Sequence, residues 1–124
     1  MPLVLIALGG AAGAVCRYLI DTWVAERAAS AFPLGTLVVN VSGSLVLGFL
    51  FALAVDRDVL PTETRPALMI GFAGAYTTFS TLTLESWRLV ESGSIGLALA
   101  NLLGSLGLGM LALVGGLVVG RALA

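Results

Sequence analysis

Apolar positions in this chain form four long blocks, neither the short alternation of half-buried strands nor the one-sided stripe of a surface helix. The blocks run from Leu3 to Trp23, Leu34 to Val55, Ala67 to Leu89 and Ser94 to Val119, divided where charged residues and prolines gather. Each approaches or exceeds the ~20 mainly apolar residues that a helix needs to cross the hydrocarbon of a bilayer. A helix satisfies its own backbone hydrogen bonds, which lipid cannot do for it. The pattern predicts an all-α membrane protein with four transmembrane helices, a single unit over residues 1–124. The connections are too short for a separate soluble domain.

Composition agrees with the pattern. The 124 residues are 59% hydrophobic and 10% charged, against ~25% charged residues in an ordinary soluble domain. An enzyme with an extramembrane catalytic domain is therefore not expected. The first block starts at Pro2 without a basic leader and carries Arg17 and Tyr18 where a cleavage site needs small residues, so it reads as a retained first helix. One cysteine and no histidine leave no disulfide within the chain and no His or Cys metal cluster. Cys16 reads as a small buried hydrophobe.

With four spans, Arg57, Arg65 and Arg121 fall on one side of the membrane, and Arg17, Arg27 and Arg88 on the other. Orientation follows the Lys/Arg bias of short loops. A tie of three against three gives little to choose between the two insertions, so dual topology and an accidental balance both stay open. Small residues four apart (Gly9 and Gly13, Ser44 and Gly48, Ser105 and Gly109, Gly116 and Gly120) predict close helix contacts. Four helices do not readily enclose a hydrated path and also cover it from lipid, which favours an oligomer. Trp23 and Trp87 sit at predicted helix ends, where indole suits the interface.

One stretch departs from the oily background. Gly71 to Glu85 reads GFAGAYTTFSTLTLE, with hydroxyls at Thr77, Thr78, Ser80, Thr81 and Thr83. At membrane depth such groups must face protein, water or an ion. Gly71 and Gly74 weaken the helix just before Thr77 and Thr78, which predicts a broken third helix whose freed carbonyls suit a small hard cation such as sodium. A continuous helix packed closely at its glycines is the other reading.

Beyond that point helical spacing aligns Thr77, Ser80 and Thr81, with Phe79 and Leu82 at i, i+3. Hydroxyl donors suit an anion, and a phenyl ring has a positive edge. Phe79 is equally readable as core. Glu85 reads as an interfacial carboxylate or as one bonded within the protein. Asn40 in the second helix, with Asn101 and Ser105 in the fourth, adds neutral donors that serve either a pathway or interhelical glue. Arg17 reads as a vestibule charge or as a side chain snorkelling to the interface.

These segments carry a resemblance. GGAAGAVCRY from Gly9, PLGTLVVN from Pro33 and GAYTTFSTLTLE from Gly74 resemble, in order and spacing, the signature segments of the Fluc family of bacterial fluoride channels, also called CrcB. The Thr-Thr-Phe-Ser-Thr core together with the Asn closing the second-helix segment is specific, and the likeness spans nearly the whole chain.

The resemblance implies an antiparallel dual-topology homodimer in the bacterial inner membrane, with two fluoride pores at the subunit interface. It implies a structural sodium ion at the dimer centre on backbone oxygens of Gly74 and Thr77. It assigns Asn40, Phe79, Ser80 and Thr81 to the pore and Arg17 to the vestibule; Asn101 and Ser105 match the fourth-helix polar positions. The family motif ends in a second phenylalanine, but position 82 here is Leu82. That departure leaves open a heterodimer with a paralogous subunit, in which this chain is not autonomous. A small multidrug-type proton-coupled transporter also has four short helices, but it needs a carboxylate in the first helix, and Leu3 to Tyr18 contain none.

Overall fold

The computed structural model describes residues 2–123, so Met1 and Ala124 of the expected 1–124 unit lie outside the described residues. Four helical spans are long and apolar enough to cross a membrane: Pro2–Ala28, Leu34–Asp56, Thr62–Glu91 and Ile95–Leu123. The first is α1. Helix α2 covers Leu34–Phe51 and widens over Ala52–Asp56, where the Arg57 amide reaches back five residues to Ala52 O. The third span contains the wide-turn helix Pro66–Ala73 and its continuation Gly74–Tyr76, together α3, and then α4 at Phe79–Glu91. Helix α5 is Ile95–Leu123.

The spans outrun the apolar blocks that predict them. Helix α1 has 27 residues, about 40 Å at 1.5 Å per residue against ~30 Å of hydrocarbon. Its last turns therefore carry Asp21, Glu26 and Arg27 into the polar boundary. Arg27 lies over the Trp23 ring, 4.2 Å from its centre, and Ala29 ends the helix in a left-handed conformation (φ 44°). At the opposite end, Arg121 donates to Asp56 at 2.7 Å and Arg65 pairs with Asp58. These pairs tie α5 to the end of α2 and close the loop before α3.

Packing follows the small residues. Helix α2 lies most extensively on α5, and α1 on α3. A Cβ at Gly13 would collide with Phe72 O, and one at Gly48 with Leu113 O; at these two crossings only a bare Cα admits the neighbouring backbone. The glycine pairs thus serve contacts within one chain, where dispersion between close backbones replaces the hydrophobic drive that lipid removes. The third span changes neighbours partway, its first part lying on α1 and its second on α5. Large apolar side chains remain exposed along every span, among them Leu8, Leu19, Ile70, Leu103 and Leu111.

Candidate functional site

The change of neighbours is made at Thr77 and Thr78. Both are extended, with φ/ψ of −82°/158° and −147°/120°, and they lie midway along the Thr62–Glu91 span. Gly71 and Gly74 lie within helical segments. Gly71 is buried with its Cα facing Ile6 O, while Gly74 is exposed and has the helical φ of −64°.

Extended residues inside a span leave backbone groups without helical partners, and here nearby side chains take them up. Asn40 Nδ2 donates to Thr78 O at 2.9 Å, and the Thr78 amide donates to Asn40 Oδ1 at 2.7 Å. The Thr78 hydroxyl accepts from the Thr81 amide at 3.2 Å and so caps α4; it also donates to Thr81 Oγ1. Ala73 O accepts from both the amide and the hydroxyl of Thr77. Ala75 O accepts from Arg17 Nε at 3.2 Å. Arg17 is half-buried, and its guanidinium holds a carbonyl at the end of α3.

Other carbonyls beside the extended pair, Gly74 and Thr77 among them, are treated differently. The amide four residues after Gly74 is that of Thr78, turned to Asn40, and the one four residues after Thr77 is that of Thr81, turned to Thr78 Oγ1. Gly74 and Thr77 thus lose the i+4 donors that a continuous helix would supply. Carbonyl oxygens in this condition are hard, neutral ligands suited to a small alkali cation.

Asn40, Thr77, Thr78, Phe79, Leu82 and Ser105 line a single groove of about 550 Å³ between α2, α4 and α5, whose other walls are leucines, glycines, Met110 and Ser44. Among the described residues, no ionisable one lines it. Phe79 stands out from the surface of the chain, 78% exposed. Ser80, Thr81, Asn101, Arg17, Gly74 and Glu85 are not among the lining residues. Ser80 is exposed, and Thr81 is half-buried beside the Thr78 cap.

Asn101 is fully buried. Its Nδ2 donates to Ser86 Oγ at 2.9 Å, and its Oδ1 faces the Ser105 hydroxyl at 3.5 Å. Ser86 was not singled out from sequence. Its signal is its spacing, because it falls four residues after Leu82 and seven after Phe79 on one side of α4. Glu85 belongs to a separate cavity of about 430 Å³, shared with Gly35, Arg88 and the loop between α1 and α2. One carboxylate oxygen, Oε1, is buried without a hydrogen-bond partner among the described residues.

The family model described as CrcB-like protein, Camphor Resistance (CrcB), matches residues 4–117. The chain belongs to the CrcB-like family. Curated relatives of this CrcB-like chain include a fluoride-specific ion channel FluC of Magnetococcus marinus, 47% identical over 123 residues and covering 99% of this chain and 100% of the relative. The protein of that name from Hahella chejuensis is 50% identical over 101 residues, 82% of this chain and 80% of its own. That of Citrifermentans bemidjiense is 40% identical over 121 residues, 98% of each.

Proposed function

We propose that this CrcB-like protein is a fluoride-selective passive channel that lets cytoplasmic fluoride leave the cell. The observation that carries the reading is the groove: Asn40, Thr77, Thr78 and Ser105 gather neutral polar groups beside the exposed ring of Phe79. Likeness along almost the full chain to proteins named fluoride-specific ion channels supports it.

Fluoride is small and strongly hydrated, so a path for it must replace water with close hydrogen bonds while holding the ion weakly enough to release it. Neutral donors meet both needs once turned to the ion: Asn40 keeps a second N–H, and the hydroxyls of Thr77, Thr78 and Ser105 would rotate from their bonds within the chain, whereas a fixed cation in the groove would trap the ion. Fluoride enters cells from acid surroundings as neutral hydrogen fluoride and ionises inside. The membrane potential, inside negative, then favours anion exit by about 2.3 kcal/mol per 100 mV. No coupled energy source is required, so the multidrug-type alternative loses its motive.

The finer reading is an antiparallel, dual-topology homodimer in the bacterial inner membrane, with a pore along each groove. The open groove and the exposed Phe79 call for a covering surface, and the arginine tie permits both orientations. At the dimer centre the Gly74 and Thr77 carbonyls of two copies would hold sodium. Bound there, the ion supplies fixed positive charge that secures the interface. Ser80 and Thr81 continue the polar track along α4 beyond the groove, toward Glu85.

Leu82 favours a second reading, a heterodimer in which a paralogous subunit supplies the missing ring. Purified protein in liposomes tests the first. A fluoride gradient should discharge and a chloride gradient persist; equal discharge of both removes the selectivity. Expression in fluoride-sensitive cells separates the two assemblies, since rescue by this chain alone supports the homodimer and rescue only with a paralogue supports the heterodimer.

A further inference from the structure

The extended pair Thr77 and Thr78 severs α4 from α3, so the rotation of α4 about its own axis is not inherited from the helix before it. Side-chain tethers must set it. One is the Asn40 clamp on Thr78, at the first residue of the α4 cap. A tether at one end does not by itself fix the rotation of the far end, and the next lie two turns along, at Glu85, which bonds Thr36 of α2, and at Ser86, which bonds α5.

Ser86 is buried (3% exposed) and faces Asn101 of α5, which is wholly buried. The single hydroxyl proton of Ser86 goes to Leu82 O at 2.8 Å, which makes Ser86 Oγ the acceptor for Asn101 Nδ2 at 2.9 Å. The chain of contacts runs from α5 through Ser86 to the backbone of Leu82, a residue that lines the groove with Phe79 one turn earlier. Hydrogen bonds have a direction that dispersion contacts between leucines lack.

We infer that Ser86 is a positioning residue: through Asn101 it fixes the rotation of α4 and so the angle at which Phe79 and Leu82 meet the groove. The effect on conduction rests on the channel reading above, while the effect on helix rotation does not.

Two readouts keep these apart. In a background with Cys16→Ala, Thr83→Cys and Leu84→Cys, placed one at a time on the exposed side of α4, report rotation through their relative rates of maleimide labelling. Adding Ser86→Ala should change that ratio severalfold. It should also slow fluoride efflux from liposomes roughly tenfold, the rate equivalent of about one net hydrogen bond lost from the conducting geometry, and narrow the discrimination against chloride. Asn101→Leu breaks the same link from the other side and should give the same labelling change, with the double variant no worse than either single one.

An unchanged labelling ratio in Ser86→Ala overturns the inference, as does slowed efflux without a labelling change. Should the parent conduct no fluoride, the reading of this chain as a channel sufficient by itself fails, and the labelling ratio alone still decides the role of Ser86. If Ser86→Ala does not accumulate, the ratio is read in Asn101→Leu, where an unchanged value is equally fatal.

Discussion

Asn40 and Thr78, 38 residues apart, exchange two hydrogen bonds, with the amide group of Asn40 serving both the N–H and the C=O of Thr78. A carboxamide has a donor and an acceptor side by side, and it can pair with an extended residue as a neighbouring strand would. Two residues at the centre of a span leave helical geometry without abandoning a backbone group of Thr78 to lipid. The same bonds draw the Thr78 amide away from Gly74 O. The clamp and the freed carbonyl are thus two consequences of one contact.

Asn40→Leu should therefore be costly beyond any loss of a pore donor. It strands two backbone groups, each worth about 1–3 kcal/mol when buried and unpaired. The expected result is a clear fall in the thermal midpoint of the detergent-solubilised protein, together with loss of fluoride efflux. Asn40→Asp should recover little, because it sets a carboxylate oxygen against Thr78 O. A leucine variant that melts with the parent would mean that the clamp contributes nothing to stability.

Arg17 yields a similar expectation with a different signature. Its Nε donates to Ala75 O across 58 residues, and a charge-assisted bond of this kind is worth about 1.5–3 kcal/mol. Arg17→Leu should lower the midpoint and Arg17→Lys should recover only part of it, since an ammonium lacks the guanidinium's planar donors. Efflux should follow stability in both variants. If Arg17→Leu instead keeps its midpoint and loses only conduction, the vestibule role read from sequence is the correct one.

Most of the fold was legible because lipid imposes a simple rule on sequence: a span is an unbroken apolar block. Block ends were less so. Glu26 and Arg27 look like a boundary by charge, yet α1 continues through them because the polar interface tolerates both helix and charge. At the site, residue types were readable and partners were not. Gly71 and Gly74 drew attention as the weak points, but helical geometry is lost at Thr77 and Thr78, whose stabilising partner stands in another span. Asn101 and Ser105 looked alike at i, i+4, yet only Ser105 lines the groove. Both are buried, and which of the two faces the groove is a property of the assembled helices.

Glycine packing can be tested without reference to conduction. Gly13→Ala puts a methyl into Phe72 O, and overpacking of this kind costs about 1–3 kcal/mol. Gly96→Ala meets nothing within 4 Å and gains helix propensity of up to ~1 kcal/mol. The first should lower the thermal midpoint and the second should leave it unchanged or raise it. Equal behaviour of the two would deny that α1 and α3 meet through bare Cα atoms.

Leu82 permits the most direct trial of function. It lines the groove one turn after Phe79, where leucine fills space but presents no positive ring edge to a passing anion. Leu82→Phe adds that edge on the same face of α4, and the groove of about 550 Å³ leaves room for a ring. Fluoride efflux should rise severalfold with chloride still excluded, because the ring adds favourable anion contacts without adding charge. The measurement is the initial rate of efflux from liposomes at equal protein density, compared with the parent and with Phe79→Leu. Phe79→Leu should be slower than the parent, and Leu82→Phe should partly restore it when the two are combined. A faster Leu82→Phe supports a homodimer limited by its own missing ring. If Leu82→Phe stays as slow as the parent and a co-expressed paralogue speeds it, the ring belongs to a second subunit and this chain is one half of a heterodimer.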